Sequence, residues 1–166
     1  LLSLVVEEVT QHVQAGGDHD DAVTVLDGEP VTVLEAIETS DVLVLGPGSW
    51  FTSVMPHLLV PQIVEAIMDS DALKILTLNV AGADETNGFS PARHLEVLAE
   101  HEPRIRFDVV LADRSFARSD PHLGTFARNL GARIVEADLA MHDGSARHDP
   151  LRLASAYAEV MGVRIR

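Results

Sequence analysis

The chain has no cysteine, so it can form neither a disulfide framework nor a thiolate metal centre. It has one lysine, Lys74, at the start of an apolar segment rather than in a glycine-rich loop, which disfavours P-loop phosphoryl transfer. Bases are scarce altogether: 12 lysines and arginines against 26 acids leave a net charge of −14. A surface that acidic repels phosphate backbones and anionic lipid at long range, so neither nucleic acid nor a membrane is an expected partner. A small anionic ligand stays available, because local backbone N–H groups can hold it against the global field. No apolar run approaches the roughly 20 residues of a membrane span. The first residues, LLSLVVEEVT, carry no basic-then-apolar export pattern and no initiator Met. A cytoplasmic setting is the expectation, in a processed chain or a piece of a longer one.

What is present suits one α/β domain over residues 1–166, with 46% hydrophobic residues spread evenly. Residues 41–46 (DVLVLG), 73–79 (LKILTLN), 107–113 (FDVVLAD) and 132–137 (ARIVEA) read as buried strands. They are short, rich in Val, Ile and Leu, and not strictly alternating, as strands covered on both faces are. Between them VMPHLLVPQIVEAIMDS, SPARHLEVLAEH and DPHLGTFARNLG carry apolar residues at helical spacing, and DPLRLASAYAEVMG closes the chain. Ser90-Pro91, Asp120-Pro121 and Asp149-Pro150 each put a capping oxygen before a proline at the first helical position. Gly131 and Gly162 stand where helices should stop. Alternating strands and helices with short connections predict a three-layer α/β/α, Rossmann-like fold with a mostly parallel sheet. Residues 1–30 are harder to assign, although AVTVLDGEPVTV reads as two short strands around an Asp-Gly turn.

Ligands of parallel α/β sheets sit outside the carboxyl ends of the strands. Three loops fall there. GPGSWFTS offers bare backbone at Gly46 and Gly48 and hydroxyls at Ser49, Thr52 and Ser53, ahead of helix N–H groups that attract anions. NVAGADETNGFS carries Asn79, Asp84, Glu85 and Thr86, a mixture suited to ribose, sugar or Mg²⁺. DGSARHDP carries Arg147, whose guanidinium fork fits phosphate oxygens. Each also has a plain structural reading, as a tight turn, a solvated loop and a helix cap. The DHDD run at 18–21 reads as an acidic surface loop, and no metal site is expected. There is no nucleophile elbow, no H-E-x-x-H motif and no catalytic residue that spacing identifies. Of Trp50 and Phe51, at least one should be buried.

The blocks LGPGSWFTSVMPHLLVPQI, ETNGFSPARHLEVLAEH and ARHDPLRLA, in that order, resemble the gluconeogenesis-factor (YvcK-type) family in its actinobacterial form. That family is related to the CofD-type phospholactyl transferases of deazaflavin-cofactor synthesis. The resemblance runs from about Ala36 to Met161. It implies a Rossmann-like, cytoplasmic protein that binds UDP-N-acetylglucosamine and balances carbon flow between gluconeogenesis and cell-wall synthesis, with effects on cell shape. By the family pattern, Gly46, Gly48, Ser49, Thr52 and Ser53 line the nucleotide site, Asn79, Glu85 and Thr86 lie opposite, and Arg147 reaches in from the C-terminal loop.

The resemblance also has departures. The family's opening G-G-G-T-G loop and Asp-Asp-Gly-Gly segment are missing, so the chain reads as the C-terminal half of a longer protein. The middle loop is one residue short of the family's Gln-x-Gly-Glu-Thr, and DRSFARSDPHLGTF departs from the pattern. Two readings follow: a non-enzymatic nucleotide-sugar-binding regulator, with a homodimer as candidate assembly, or a CofD-like transferase using Mg²⁺ and a nucleotide-linked donor.

Overall fold

The computed structural model describes residues 23–26, 29–81 and 86–162. The acidic run at 18–21, Asp84 and Glu85 lie outside the described residues. Two compact units divide the chain, Leu1–Ile75 and Leu76–Arg166.

In the first unit, β1 (Val23–Leu26) and β2 (Glu29–Thr32) pair antiparallel, with Val23 opposite Thr32 and Leu26 opposite Glu29. These are the two short strands expected around Asp-Gly. Helix α1 (Val33–Glu38) follows at once, because Thr32 accepts the Glu35 N–H at 3.2 Å and caps it. Strand β3 (Val42–Leu45) buries Leu43 and Leu45.

The next segment departs from the single helical run that apolar spacing suggests. Trp50–Val54 forms a π-helical turn, Met55–Leu59 a 3-10 turn, and α2 begins only at Pro61 and runs to Asp69. The two stretches are bent by 81°. Proline is the cause: Pro61 has no N–H to continue a helix and forces Val60 into extended backbone, φ −100 and ψ 104. Its fixed φ then opens α2, which buries Ile63, Val64 and Ile67. Among the described residues no single helix is long and apolar enough to cross a membrane.

Strand β4 (Leu73–Thr77) leads into the second unit, which contains α3 (Pro91–His101), β5 (Val109–Asp113), α4 (Arg114–Arg118), α5 (Leu123–Asn129), β6 (Arg133–Ala137) and α6 (Pro150–Val160). The four-stranded sheet has the order β3-β4-β5-β6. Strands β5 and β6 run parallel, in register from Val109 opposite Arg133 to Asp113 opposite Ala137. All five residues of β5 are buried, as expected for a strand covered on both faces. The chain has a Rossmann-like α/β fold, a parallel sheet with flanking helices.

Caps decide the helix boundaries. Ser90 accepts the Arg93 N–H at 3.3 Å to open α3, and Asp149 accepts those of Leu151 and Arg152 at 2.9 and 3.2 Å to open α6. The third expected cap behaves differently. Asp120 closes a turn onto His122 N–H at 2.8 Å, its other oxygen takes the Ala92 N–H of α3, and α5 begins three residues later without a side-chain cap. Pro121 therefore takes the second position of a turn, closed by Leu123 N–H donating to Asp120 O at 3.3 Å, rather than the first position of a helix. Gly131 stops α5 in the left-handed region, φ +79, where an added Cβ would meet only ordinary contacts at 3.5 Å or more. Gly131→Ala should therefore cost backbone strain alone, about 1–2 kcal/mol in urea denaturation. An unchanged midpoint would mean the left-handed turn is not needed.

Candidate functional site

The glycine turn after β3 gathers five of the expected site residues within eight positions. Gly46 has φ +76 and joins Pro47 through a cis peptide. Ser49 caps the π-helical turn, accepting the Thr52 N–H at 3.3 Å and hydrogen-bonding the Thr52 hydroxyl. Its carbonyl accepts both Ser53 N–H at 2.8 Å and Val54 N–H at 3.1 Å. The bond from Val54, five residues on, makes the turn π-helical, and Ser53 lies close to Gly48: a Cβ added at Gly48 would sit 3.3 Å from the Ser53 Cβ. Thr52 is exposed, and Ser49 and Ser53 are half-buried. Backbone and hydroxyl thus share one small surface. Trp50 is buried at 1% exposure while Phe51 is 42% exposed. One aromatic of the pair belongs to the core, as expected. A buried indole cannot stack on a base, so Trp50 emission should stay blue-shifted and unchanged at ligand saturation; quenching would show that the turn opens on binding.

In the second unit, the segment after β6 returns on itself. Met141 N–H donates to Arg147 O at 2.9 Å, Asp149 N–H donates to Leu139 O at 2.7 Å, and Ala140 bridges His148 antiparallel. His148 Nε2 lies 3.2 Å from the carbonyl of Leu78, immediately before Asn79. The base of the hairpin and the segment that follows β4 are thereby brought together. Burial pushes His148 below the ordinary imidazole range, against the Leu78 hydrogen bond and the nearby Asp113 charge. Arg147 projects outward, its side chain 73% exposed, with Asp143 at 3.5 Å and Ser145 at 3.4 Å. Asn79 is half-buried; Thr86 is buried, and its carbonyl accepts the Phe89 N–H at 2.9 Å.

The residue that holds this hairpin in place escaped the sequence reading. Asp113 ends β5, is 3% exposed, and accepts five hydrogen bonds. One oxygen takes the Ser115 N–H and hydroxyl and the Phe116 N–H, which caps α4; the other takes the N–H groups of Leu139 and Ala140. Burial opposes its charge, and the donors from Ser115, Leu139 and Ala140 outweigh it, so its pKa lies below the usual carboxylate value. The signal was available: a strand-ending Asp followed two residues later by Ser is an Asx-turn and cap pattern. Beyond β6, Asp138 pairs with Arg152 and with His142 Nε2 at 3.2 Å, and its pKa is lowered, first by His142. Both carboxylates are thus already engaged, and no group of three or more metal-ligating side chains occurs among the described residues.

A family model described as 2-phospho-L-lactate transferase CofD matches residues 7–149. A Mycobacterium leprae protein that carries the gluconeogenesis-factor name is 42% identical over 136 residues, 80% of this chain and 37% of its own length. The gluconeogenesis factor of Listeria innocua is 31% identical over 137 residues, 75% of this chain and 42% of its own. A crystal structure of a UPF0052 family member from Bacillus halodurans matches with a TM-score of 0.63 at 30% identity, covering 78% of this chain and 47% of that one. The chain spans less than half the length of each of these proteins. With the family match running from before β1 to the cap of α6, this chain belongs to the CofD family, among relatives called gluconeogenesis factors.

Proposed function

We propose that this chain is the nucleotide-sugar-binding part of a gluconeogenesis-factor-type regulator. It would bind UDP-N-acetylglucosamine in the cytoplasm and link central carbon metabolism to cell-wall synthesis and cell shape. The observation that carries the reading is the presentation of Arg147, an exposed guanidinium on a hairpin pinned by Asp113 and by its own backbone bonds. In a chain of net charge −14, an anionic ligand needs such a local cation.

Calorimetry with UDP-N-acetylglucosamine tests this. Arg147→Ala should weaken binding by about 1.5–3 kcal/mol, the range for a hydrogen bond to a charged group. Stability without ligand should barely change, since the pair with Asp143 is exposed and screened by solvent, and Asp149, not Arg147, caps the helix. Arg147→Lys should recover part of the affinity, because the ammonium keeps the charge but loses the fork. Wild-type affinity in the alanine variant at low salt would make Arg147 a solvated surface residue.

The second reading, a transferase moving a phosphorylated group from a nucleotide-linked donor, is favoured by the name of the matching family model. Stabilisation by guanylyl ligands only when Mg²⁺ is present would select it. Equal stabilisation by UDP-N-acetylglucosamine with and without Mg²⁺ supports the regulator.

A further inference from the structure

A cavity of about 460 Å³ opens in the second unit beside the carboxyl ends of β5 and β6. It lies where parallel α/β sheets hold ligands, its size is that of a small-molecule pocket, and Arg147 does not line it. None of the three loops singled out for the nucleotide sugar accounts for its most polar wall, the α4 turn.

Its chemistry can be sorted into groups already engaged and groups still open. The two acids in its wall are engaged: Asp113 by five donors, Asp138 by Arg152 and His142. The two arginines keep donors open. Arg114 makes no ion pair among the described residues, although acids outnumber bases 26 to 12. Arg118 meets Glu136 through Nε alone, at 2.9 Å, which leaves both Nη groups open. Both side chains are exposed on the first and last residues of one short helix, so they converge on a ligand without paying a burial cost. The capacity left in this cavity is donor capacity, with positive charge behind it. That excludes a metal cation, which would have to take Asp138 from Arg152.

We propose that this cavity is a second binding site, taking the phosphate group of a small phosphorylated metabolite on Arg114 and Arg118. Two guanidinium forks match the three terminal oxygens of a phosphate monoester, and a carboxylate would fill only one. The body of the metabolite would occupy the rest of the cavity against Ala140 and His142.

The test uses inorganic phosphate as the probe, on the 166-residue chain, at constant ionic strength with chloride as the reference anion. Nitrogen–proton NMR should show saturable shifts of the Arg114 and Arg118 Nε–H signals and of the amides of residues 113–118. The double variant Arg114→Gln, Arg118→Gln should weaken the apparent affinity at least tenfold. Arg133→Gln, which removes an exposed arginine outside the cavity, should leave it unchanged. The proposal is overturned if the shifts do not saturate, if they survive the double variant, or if they centre on Arg147. Mg²⁺ producing the same shifts in place of phosphate would also overturn it. UDP-N-acetylglucosamine binding that survives the double variant separates this site from the regulator site, so either reading can fail without the other.

Discussion

Replacing Asp113 with alanine should destabilise the protein by about 3–5 kcal/mol, since several donors lose one buried acceptor at about 1–3 kcal/mol for each left unsatisfied. The carboxylate is 3% exposed and receives two side-chain-independent backbone contacts from each side, Ser115 and Phe116 from α4, Leu139 and Ala140 from the hairpin. Alanine leaves these N–H groups without their acceptor; Leu139 is itself fully buried, so water cannot take over there. Asp113→Asn keeps the shape but presents an NH₂ to one pair of donors, and should cost less, about 1–3 kcal/mol. The pH dependence fixes the sign. Asp113 has a folded pKa below its unfolded value, so its contribution is fully present above the unfolded pKa, about 3.9. It is lost as pH falls through the folded value. Urea midpoints of wild type and Asp113→Asn should therefore differ most at pH 7 and converge below about pH 4. A gap that is constant across this range would mean that the charge of Asp113 contributes nothing. Hydrogen exchange should also locate the damage: amides 139–149 should lose protection in Asp113→Ala before those of β5.

The strands were legible as short apolar runs, but the expected burial on both faces holds in full only for β5. Strands β3 and β6 end the order of the four-stranded sheet, so β3 alternates between buried and half-buried residues and β6 leaves Arg133 and Glu136 exposed. DVLVLG, LKILTLN, FDVVLAD and ARIVEA each contain the observed strand, trimmed by one or two residues at the ends. Caps with a hydroxyl or carboxylate before proline were legible at Ser90 and Asp149, where the oxygen reaches the next N–H groups locally. They misled at Asp120, whose second oxygen answers to Ala92 from a different helix. No local pattern encodes a partner 28 residues away. The same limit hid Asp113. Its link to Ser115 is local and readable, but its grip on Leu139 and Ala140 joins β5 to a loop that the sequence places elsewhere. The π-helical turn was hidden for another reason. Apolar spacing in WFTSVMPHLLV fits several helical periods over so short a span, and it was the prolines at 56 and 61 that set where each period stopped.

Gly48→Val should reduce UDP-N-acetylglucosamine affinity at least a hundredfold, equivalent to about 2.8 kcal/mol. Two effects act together. A side chain at this position stands on the bare backbone that the proposed ligand approaches, between the strand and the N–H groups of the π turn. It also presses on Ser53, since even the first carbon would lie 3.3 Å from the Ser53 Cβ and 3.8 Å from its hydroxyl oxygen. Valine adds two further carbons on that first one, so Ser53 must move, and with it the hydrogen bond from its N–H to Ser49 O at 2.8 Å. Overpacking of this kind costs about 1–3 kcal/mol, which leaves the variant folded at room temperature if the parent has ordinary stability. Gly48→Ala separates the two effects. Its single methyl needs only a few tenths of an ångström of give from Ser53, so stability should change little, while affinity should still fall through the obstructed approach. Calorimetry on both variants, after circular dichroism has confirmed a native melt, decides the matter. If folded Gly48→Val binds as wild type does, the ligand does not approach the chain at this turn, and the hydroxyls of Ser49, Thr52 and Ser53 serve only to shape the π-helical turn.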